Sequence, residues 1–404
     1  NYMKAQGNVS LILFLLFFAF TGCEKKSDRF GNCEVFLGYA ETTLHAIYDK
    51  YGVANENLLR ENYPFDEDYT ATYLDDSDAG PSNKYSFLWP YSGMFSAANA
   101  LYGLTRDSKF LEMIEDKVLP GLEEYFDTER HPFAYSSYIT RAPLSDRYYD
   151  DNIWIGIDFV DLYLMTSDPV YLDKAQTVWY FLSSGLDEKL GGGIYWVEQN
   201  KASKNACSNA PAAVFALKLY LATKDDKFLK LATDLYHWTK EHLQDKEDLL
   251  YYDNIRLDGS VDKKKYSYNS GQMLQAAALL YNITKDETYL VEAEGLADSC
   301  HKRFFHDFNE ETSSFKIPNG GDVWFTAVMC RGFLELYQIN KEVTYINSII
   351  RSLKHAWNHM QDENGLFGTD WEGKDDQTVK WLLTQAAMVE MYAKFANPDS
   401  NNNS

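Results

Sequence analysis

The sequence is short of basic residues relative to acidic ones. Its 404 residues contain 38 Lys and Arg against 60 Asp and Glu, a formal net charge of -22. A field of this sign repels phosphate backbones, which excludes nucleic acid as a partner. The remaining composition, 45% hydrophobic and 24% charged, is ordinary for a globular protein and excludes disordered and collagen-like classes.

Metal-binding spacings are also missing. None of the 5 cysteines forms a C-x-x-C pair or a zinc-ligand spacing. His355 and His359 are four residues apart, but the glutamate of a metalloprotease motif is absent. We therefore predict neither a metal site nor a cofactor.

Long hydrophobic runs are absent apart from one near the amino terminus. Residues 11–20 are all apolar and follow Lys4. Ten residues are too few to span a bilayer, which takes about 20 in a helix, but they suit the apolar region of a signal peptide. The sequence therefore predicts export.

The apolar run ends in Phe20-Thr21-Gly22-Cys23, which resembles the lipobox of bacterial lipoproteins. The resemblance implies that Cys23 is lipidated and becomes the first residue of the mature protein. We predict a signal peptide over residues 1–22 and a tether over 23–29. The expected location is the outer membrane of a Gram-negative bacterium, at the cell surface or on the periplasmic face, with the membrane contacted only through the lipid.

An internal repeat is the strongest organisational signal. The string Leu-Tyr-x-x-Thr-x-Asp begins at Leu101, Leu162, Leu219 and Leu280, and weaker copies begin at Leu336 and Met391. The tyrosines of successive copies are 55 to 61 residues apart. The chain therefore contains six similar units.

Each unit predicts one inner and one outer helix. A small and apolar segment leads into the tyrosine and is typical of a buried helix, and an Asp or Glu at an N-cap position then opens an amphipathic helix. With an amphipathic helix near residues 30–51, this gives about twelve helices. We predict an all-α fold, an (α/α)6 toroid of six inner and six outer helices, in a single domain over 30–397 with a disordered tail at 398–404. An open solenoid is the structural alternative.

The connections between the predicted helices are asymmetric. Inner-to-outer links have two or three residues, whereas the outer-to-inner links are long, at about 127–149, 187–205, 245–267, 306–321 and 362–374. Long connections in a compact domain are usually functional. All of them emerge on one end of a toroid, so we expect a cleft there.

Adjacent aspartates occur four times, at Asp75-Asp76, Asp150-Asp151, Asp225-Asp226 and Asp375-Asp376. The first pair lies in a polar loop, and the third occupies the repeated N-cap position. The fourth precedes an inner helix at the cleft end, where capping is favoured over catalysis.

The pair Asp150-Asp151 begins an inner helix at the cleft end, between aromatic residues in an apolar stretch. Carboxyl groups about 5 to 5.5 Å apart are what a retaining glycosidase requires. The helix dipole favours one ionised carboxylate, whose charge raises the pKa of the other. From the residues alone, catalysis and helix capping both remain possible.

The run from Tyr148 to Ile157 resembles the Y-D-D-N-x-W motif of glycoside hydrolase family 76, the endo-acting α-1,6-mannanases. Further matches follow in order over nearly the whole mature chain, at residues 192–196, 204–209, 268–271, 324–325 and 331–332. The resemblance implies an (α/α)6 toroid that hydrolyses α-1,6-linked mannan of the yeast type with retention. It makes Asp150 the nucleophile and Asp151 the acid/base. The stretch at 268–271 departs from the usual Y-N-Q-G by Ser270.

Aromatic platforms and amides at the cleft end are candidates for sugar contacts, with core packing or helix capping as the alternative for each. The candidates are Trp89, Tyr195, Trp196, Asn205, Asn209, Tyr268, Asn269 and Trp324. The expected partner is an α-1,6-mannan oligosaccharide or polysaccharide, bound by a monomer. The competing functions are a non-catalytic surface glycan-binding lipoprotein and another (α/α)6 carbohydrate-active enzyme.

Overall fold

The computed structural model describes residues 29–68, 83–310 and 313–400. The predicted signal peptide, Cys23, nearly all of the predicted tether and the pair Asp75-Asp76 lie outside the described residues. Within those residues, no helix is both long enough and apolar enough to cross a membrane.

The described chain is mainly helical. In chain order the helices are α1 (Cys33–Tyr51), α2 (Leu88–Thr105), α3 (Ser108–Met113), α4 (Leu119–Glu123), α5 (Tyr149–Thr166), α6 (Pro169–Ser183), α7 (Ala206–Thr223), α8 (Asp226–Leu243), α9 (Ser267–Thr284), α10 (Glu287–Arg303), α11 (Val323–Asn340), α12 (Thr344–His359) and α13 (Leu382–Ala396). A π-helical turn at Ile114–Val118 joins α3 to α4, so the two form one bent outer helix.

Six helices form a closed inner ring. Each of α2, α5, α7, α9, α11 and α13 packs against the next, and α13 packs against α2. The outer positions are occupied by α1, the α3–α4 pair, α6, α8, α10 and α12. The predicted (α/α)6 toroid is therefore confirmed, and the open solenoid is excluded because the last inner helix contacts the first.

The repeated string forms a compact link between an inner and an outer helix. In the first copy, the Thr105 hydroxyl donates to the Leu101 carbonyl at 2.9 Å, and the Asp107 carboxylate caps α3 by accepting from the Lys109 N–H at 3.0 Å. Arg106, at a φ of 54°, donates its N–H to the Tyr102 carbonyl. This left-handed residue closes the helix with an αL bond. The equivalent residues Ser167, Lys224, Lys285 and Lys341 also have positive φ.

The long connections carry short antiparallel strands at one end of the ring. The strands are β1 (Asn62–Tyr63), β2 (Phe126–Asp127), β3 (Ala134–Tyr135), β4 (Ser203–Asn205), β5 (Asn254–Arg256), β6 (Val261–Asp262), β7 (Phe305–Asn309), β8 (Ser314–Pro318) and β9 (Lys380–Trp381). They pair as β1–β9, β2–β3, β4–β5–β6 and β7–β8. The β4–β5 and β1–β9 pairs each join two different connections, so these strands hold the connections together at this end of the ring.

The first three residues of the predicted disordered tail are ordered. Pro398–Ser400 form a 3-10 turn that packs against α11. The Gln338 amide donates to the Pro398 carbonyl at 2.7 Å, and the Tyr337 hydroxyl donates to the Asp399 carboxylate at 2.8 Å. These contacts hold the first three residues of the segment on the domain.

The axis of the inner ring contains buried charges. Arg331 on α11 donates to both carboxylate oxygens of Glu390 on α13, at 2.7 and 2.9 Å. Burial raises the pKa of the nearby Asp158 carboxyl to about 7, against the lowering effect of Arg331. The Arg331 guanidinium also lies 5.8 Å from the centre of the Trp154 ring. A paired charge therefore supports an aromatic side chain of the cleft described next.

Candidate active site

A cavity of about 660 Å³ opens at the end of the toroid where the long connections gather. Five inner helices (α2, α5, α7, α9 and α11) and several connections contribute to its walls. The lining residues are Phe87, Trp89, Ser137, Tyr148, Asp150, Asp151, Trp154, Trp196, Ser203, Asn205, Cys207, Asp253, Asn254, Arg256, Tyr266, Tyr268, Asp322, Trp324, Phe325 and Trp381. The cleft therefore lies at the predicted end.

The aspartate pair occupies the first turn of α5, whose N-cap is Tyr148. Of the three adjacent pairs that the structure describes, Asp150-Asp151 is the one that lines this cavity. Both carboxyl groups lie at the positive end of the helix dipole, where an anion is favoured. The local sequence thus places two acids where α5 meets the cavity.

The chain that precedes α5 is held in place by a second connection. The Tyr149 N–H donates to the Trp196 carbonyl at 2.8 Å, and the Glu198 N–H donates to the Arg147 carbonyl at 3.0 Å. The Arg147 guanidinium is buried and donates two 2.7 Å bonds to Glu198. Two paired segments, 147–149 and 196–198, therefore fix the entry into α5.

Asn152 holds the connection on the other side of the pair. Its carbonyl oxygen accepts from the Tyr135 N–H at 2.8 Å, and its amide nitrogen donates to the carbonyls of Tyr135 and Tyr148, both at 2.9 Å. The asparagine of the motif therefore connects β3 to the start of α5 through hydrogen bonds. Its polar atoms are used within the protein rather than directed at the cavity.

Asp150 sits in an unusual electrostatic environment. The Trp196 indole N–H donates to its Oδ2 at 3.3 Å, whereas the buried Oδ1 has no hydrogen-bond partner among the described residues. Burial raises the pKa of the Asp150 carboxyl to about 6, while the Cys207 thiol and the Trp196 indole act to lower it. A buried carboxylate oxygen without a partner costs free energy and is uncommon outside functional sites.

Aromatic rings form one wall of the cavity. The Trp154 ring meets the Trp324 ring edge-on with centroids 5.0 Å apart, and Trp89 meets Trp324 at 5.4 Å. The Tyr268 ring stacks on Phe325 at 4.1 Å. Flat apolar faces beside carboxylates suit the apolar face and the hydroxyls of a pyranose ring.

Two further carboxyl groups face the cavity, and sequence reasoning did not find them. Asp322 caps α11 by accepting from the Trp324 N–H at 2.9 Å, and burial raises the pKa of its carboxyl to about 7. Burial also raises the pKa of Asp253, which precedes β5. Asp322 could have been recognised because it begins an inner helix at the cleft end, as Asp150 does. Asp253 lies in a long connection with no distinguishing pattern.

The structure brings five of the eight predicted sugar-contact residues to the cavity together with the aspartate pair. These are Trp89, Trp196, Asn205, Tyr268 and Trp324.

The other three do not line it. The Tyr195 hydroxyl donates to Asp187 at 2.6 Å, and the Asn209 amide bonds the backbone of Ile194 through both its oxygen and its nitrogen. Asn269 is fully buried beside Asp253. We therefore no longer expect direct sugar contacts from them.

Ser270, which departs from the family pattern, is also turned away from the cavity. Its hydroxyl accepts from the Tyr251 N–H at 3.0 Å. The prediction that Asp375 caps the following inner helix is wrong, because the N-cap of α13 is Trp381. The Asp375 carboxylate instead accepts from the backbone N–H groups of Thr369 at 2.8 Å and Gln377 at 2.7 Å within the connection. Neither residue is among those that line the cavity.

A closed ring of helix pairs with two acids in an aromatic cleft defines a class, the carbohydrate-active enzymes built on a helical toroid. The family model of glycosyl hydrolase family 76 matches residues 65–315. The chain therefore belongs to glycosyl hydrolase family 76, as its motifs predicted.

Solved structures of the family share this architecture. A family 76 mannosidase from Bacteroides thetaiotaomicron VPI-5482 is 37% identical with a TM-score of 0.82, and the match covers 90% of this chain and 98% of that one. An α-1,6-mannanase of Salegentibacter sp. HEL1_6 is 25% identical with a TM-score of 0.71, covering 89% and 99%. That structure is an inactive variant with two adjacent aspartates replaced by asparagine, in complex with α-1,6-mannotriose.

Fungal relatives match over shorter stretches. The meiotically up-regulated gene 191 protein of Schizosaccharomyces pombe is 28% identical over 198 residues, which are 43% of this chain and 44% of the relative. The mannan endo-1,6-alpha-mannosidase DCW1 of Candida glabrata is 28% identical over 131 residues, 30% of this chain and 29% of the relative. The chain thus spans less than half of the length of either fungal protein.

Proposed function

We propose that this protein is an endo-acting α-1,6-mannanase that cleaves mannan with retention of anomeric configuration. The observation that carries the proposal is the pair Asp150-Asp151 at the cavity end of α5, with one buried carboxylate oxygen left unpaired. The Salegentibacter relative supports the substrate, since it holds an α-1,6-mannotriose after two adjacent aspartates are replaced.

In the proposed first step, the carboxylate of Asp150 attacks the anomeric carbon while Asp151 protonates the departing glycosidic oxygen. The product of this step is a β-mannosyl ester on Asp150. In the second step, Asp151 takes a proton from water as the water attacks the same carbon and the ester bond breaks. Two inversions leave the α-anomer, and Asp151 regains the proton it gave away.

The surrounding residues support both steps. The N-terminal dipole of α5 and the Trp196 indole N–H, 3.3 Å from Oδ2, stabilise the Asp150 carboxylate against the burial that raises its pKa to about 6. Trp89, Trp154 and Trp324 offer faces for the sugar rings. Asp253 and Asp322 are placed to accept hydrogen bonds from mannose hydroxyls, which is chemistry that a neutral polyol substrate provides.

The stereochemical outcome tests this mechanism directly. We expect proton NMR of the first products from linear α-1,6-mannan to show the α-anomer before mutarotation, with oligosaccharides of intermediate length appearing early. An initial β-anomer would make Asp150 a general base in an inverting enzyme. Release of mannose alone from the first minutes would contradict endo action.

We also propose that the protein is anchored by lipid at Cys23 in the envelope of a Gram-negative bacterium. The support is the sequence alone, an apolar run over residues 11–20 that ends before Gly22-Cys23. Cys23→Ala should move the protein from the membrane fraction to the soluble fraction and abolish incorporation of labelled fatty acid. Cys300→Ala, at a buried free cysteine, is the matched control, and equal lipid label in both variants would contradict the proposal.

A further inference from the structure

The structure assigns a positioning role to Trp196 and Cys207: together they hold the carboxylate of Asp150 in the orientation from which it attacks. The assignment rests on the proposed function, because it names what prepares the nucleophile of that reaction. It gives Trp196 a role that its interpretation as a sugar platform did not include.

Contacts other than the one with Asp150 hold Trp196 in place. Its N–H donates to the Ser203 carbonyl at 3.2 Å and its carbonyl accepts from the Tyr149 N–H at 2.8 Å, so its backbone is bonded on both sides. Its ring packs against Tyr148 with centroids 5.1 Å apart. The indole N–H is thereby held 3.3 Å from Oδ2 of Asp150.

The segment that carries Trp196 is held by buried charge. The Arg147 side chain is 1% exposed and contacts Glu198 at 2.7 Å and Asp127 at 3.3 Å. The Arg147 N–H also donates to the Gln199 side chain at 2.8 Å. Functional groups need this kind of rigid support to hold a reacting atom within a fraction of an ångström.

Cys207 approaches the same carboxylate from the neighbouring inner helix. It lies in the first turn of α7, is 3% exposed and lines the cavity beside Asp150 and Tyr268. Its thiol interacts with the Asp150 carboxyl and with the Tyr268 hydroxyl, and burial raises the pKa of the thiol well above its usual range. At neutral pH the sulfur therefore keeps its proton and can act as a weak donor to the carboxylate.

Two side-chain donors thus meet one carboxylate. The indole holds Oδ2, the thiol lies beside the carboxyl group, and Oδ1 is buried. Each donor favours the ionised form of Asp150, which is the form that attacks. The other titratable and charged groups that line this cavity are Tyr148, Asp151, Asp253, Arg256, Cys207, Tyr266, Tyr268 and Asp322.

The test is the pH dependence of kcat/KM on an α-1,6-mannooligosaccharide, measured with the full chain. Activity of the wild type should fall as pH drops through about 6, because Asp150 then gains a proton. Removing a donor to the ionised form raises its pKa, so Trp196→Phe and Cys207→Ala should each move the acid limb upward by about half a pH unit. Cys207→Ser, which keeps a donor, should restore the wild-type limb.

Matched controls separate positioning from packing. Cys330→Ala removes another buried thiol, and Trp179→Phe removes another largely buried indole; neither residue lines the cavity. Both should leave the pH profile unchanged. A parallel measurement follows covalent labelling by an activated fluorinated mannosyl fluoride through intact mass, which reports the attack step without turnover.

The outcomes distinguish this inference from the proposed function. If the wild type does not cleave α-1,6-mannooligosaccharides, the proposed function fails. If the wild type is active while folded Trp196→Phe and Cys207→Ala variants keep the wild-type acid limb and labelling rate, the positioning role is overturned. A shift in Cys207→Ala that Cys207→Ser does not reverse would overturn the part assigned to the thiol.

Discussion

Replacing Asp150 by asparagine is expected to abolish turnover on every substrate while leaving the protein at least as stable as the wild type. No glycosyl-enzyme can form without the carboxylate, so kcat/KM should fall by roughly 10⁴-fold or more on both mannan and aryl mannosides. The leaving group should make no difference. Initial rates on the two substrates, with a thermal melt of each protein, measure both expectations.

The stability expectation follows from the environment of the side chain. Burial raises the pKa of Asp150 to about 6, so the folded protein holds an unfavourable charge there at neutral pH. A neutral isostere removes that cost, and Tm should rise or stay level. The effect should shrink below pH 6, where the wild-type carboxyl is itself protonated.

Asp225→Asn is the matched control for this substitution. Asp225 also belongs to an adjacent aspartate pair at a helix start, but it caps α8 and does not line the cavity. We expect wild-type activity and a small loss of stability from the weakened cap. An Asp150→Asn variant that is dead because it is unfolded, or one that remains active, would each remove the basis for its role as nucleophile.

The architecture could be predicted because one local pattern specifies one local structure six times. Thr105, Arg106 and Asp107 close one helix and cap the next through bonds within a few residues. Such short-range chemistry is visible in a sequence, and each repetition strengthens the prediction. Ring closure followed because every unit needs neighbours on both sides to bury its face.

The candidate site could be predicted only in part, because side-chain direction depends on the fold. Tyr195 and Trp196 are adjacent in the sequence, yet Tyr195 bonds Asp187 while Trp196 faces Asp150. Asn209 was predicted to bind sugar through its amide, but the amide instead forms hydrogen bonds with the backbone of Ile194. Cys207 lies within the family-like stretch 204–209, but the sequence assigned it no role until α7 was placed beside α5. The motif identified the reacting pair, whereas the residues that hold the pair in place are distant from it in sequence and could be recognised only in the structure.

The second prediction with a large expected effect concerns the different roles of Asp150 and Asp151. If Asp151 is the acid/base, Asp151→Ala should lose about 10²- to 10⁴-fold in activity on mannan, whose sugar leaving group needs a proton. The same variant should form its glycosyl-enzyme readily from an aryl α-1,6-mannobioside whose phenol departs unaided. A burst of phenol followed by slow turnover, measured by stopped-flow absorbance, is the expected signature. The alkaline limb of the pH profile should also disappear, because that limb reports loss of the proton that the acid/base gives to the leaving group.

Azide distinguishes the two aspartates by product configuration. In Asp151→Ala, azide should attack the β-linked glycosyl-enzyme and yield an α-mannosyl azide at an increased rate. In Asp150→Ala, azide can only attack the α-linked substrate directly, so any product should be the β-azide. NMR of the isolated azides reads out the difference. Two folded variants that are equally inactive on the aryl substrate, with no azide product from either, would mean that the acid lies elsewhere in the cavity. Asp253 and Asp322, which line it, would then be tested before Asp375, whose carboxylate is already bonded to Thr369 and Gln377.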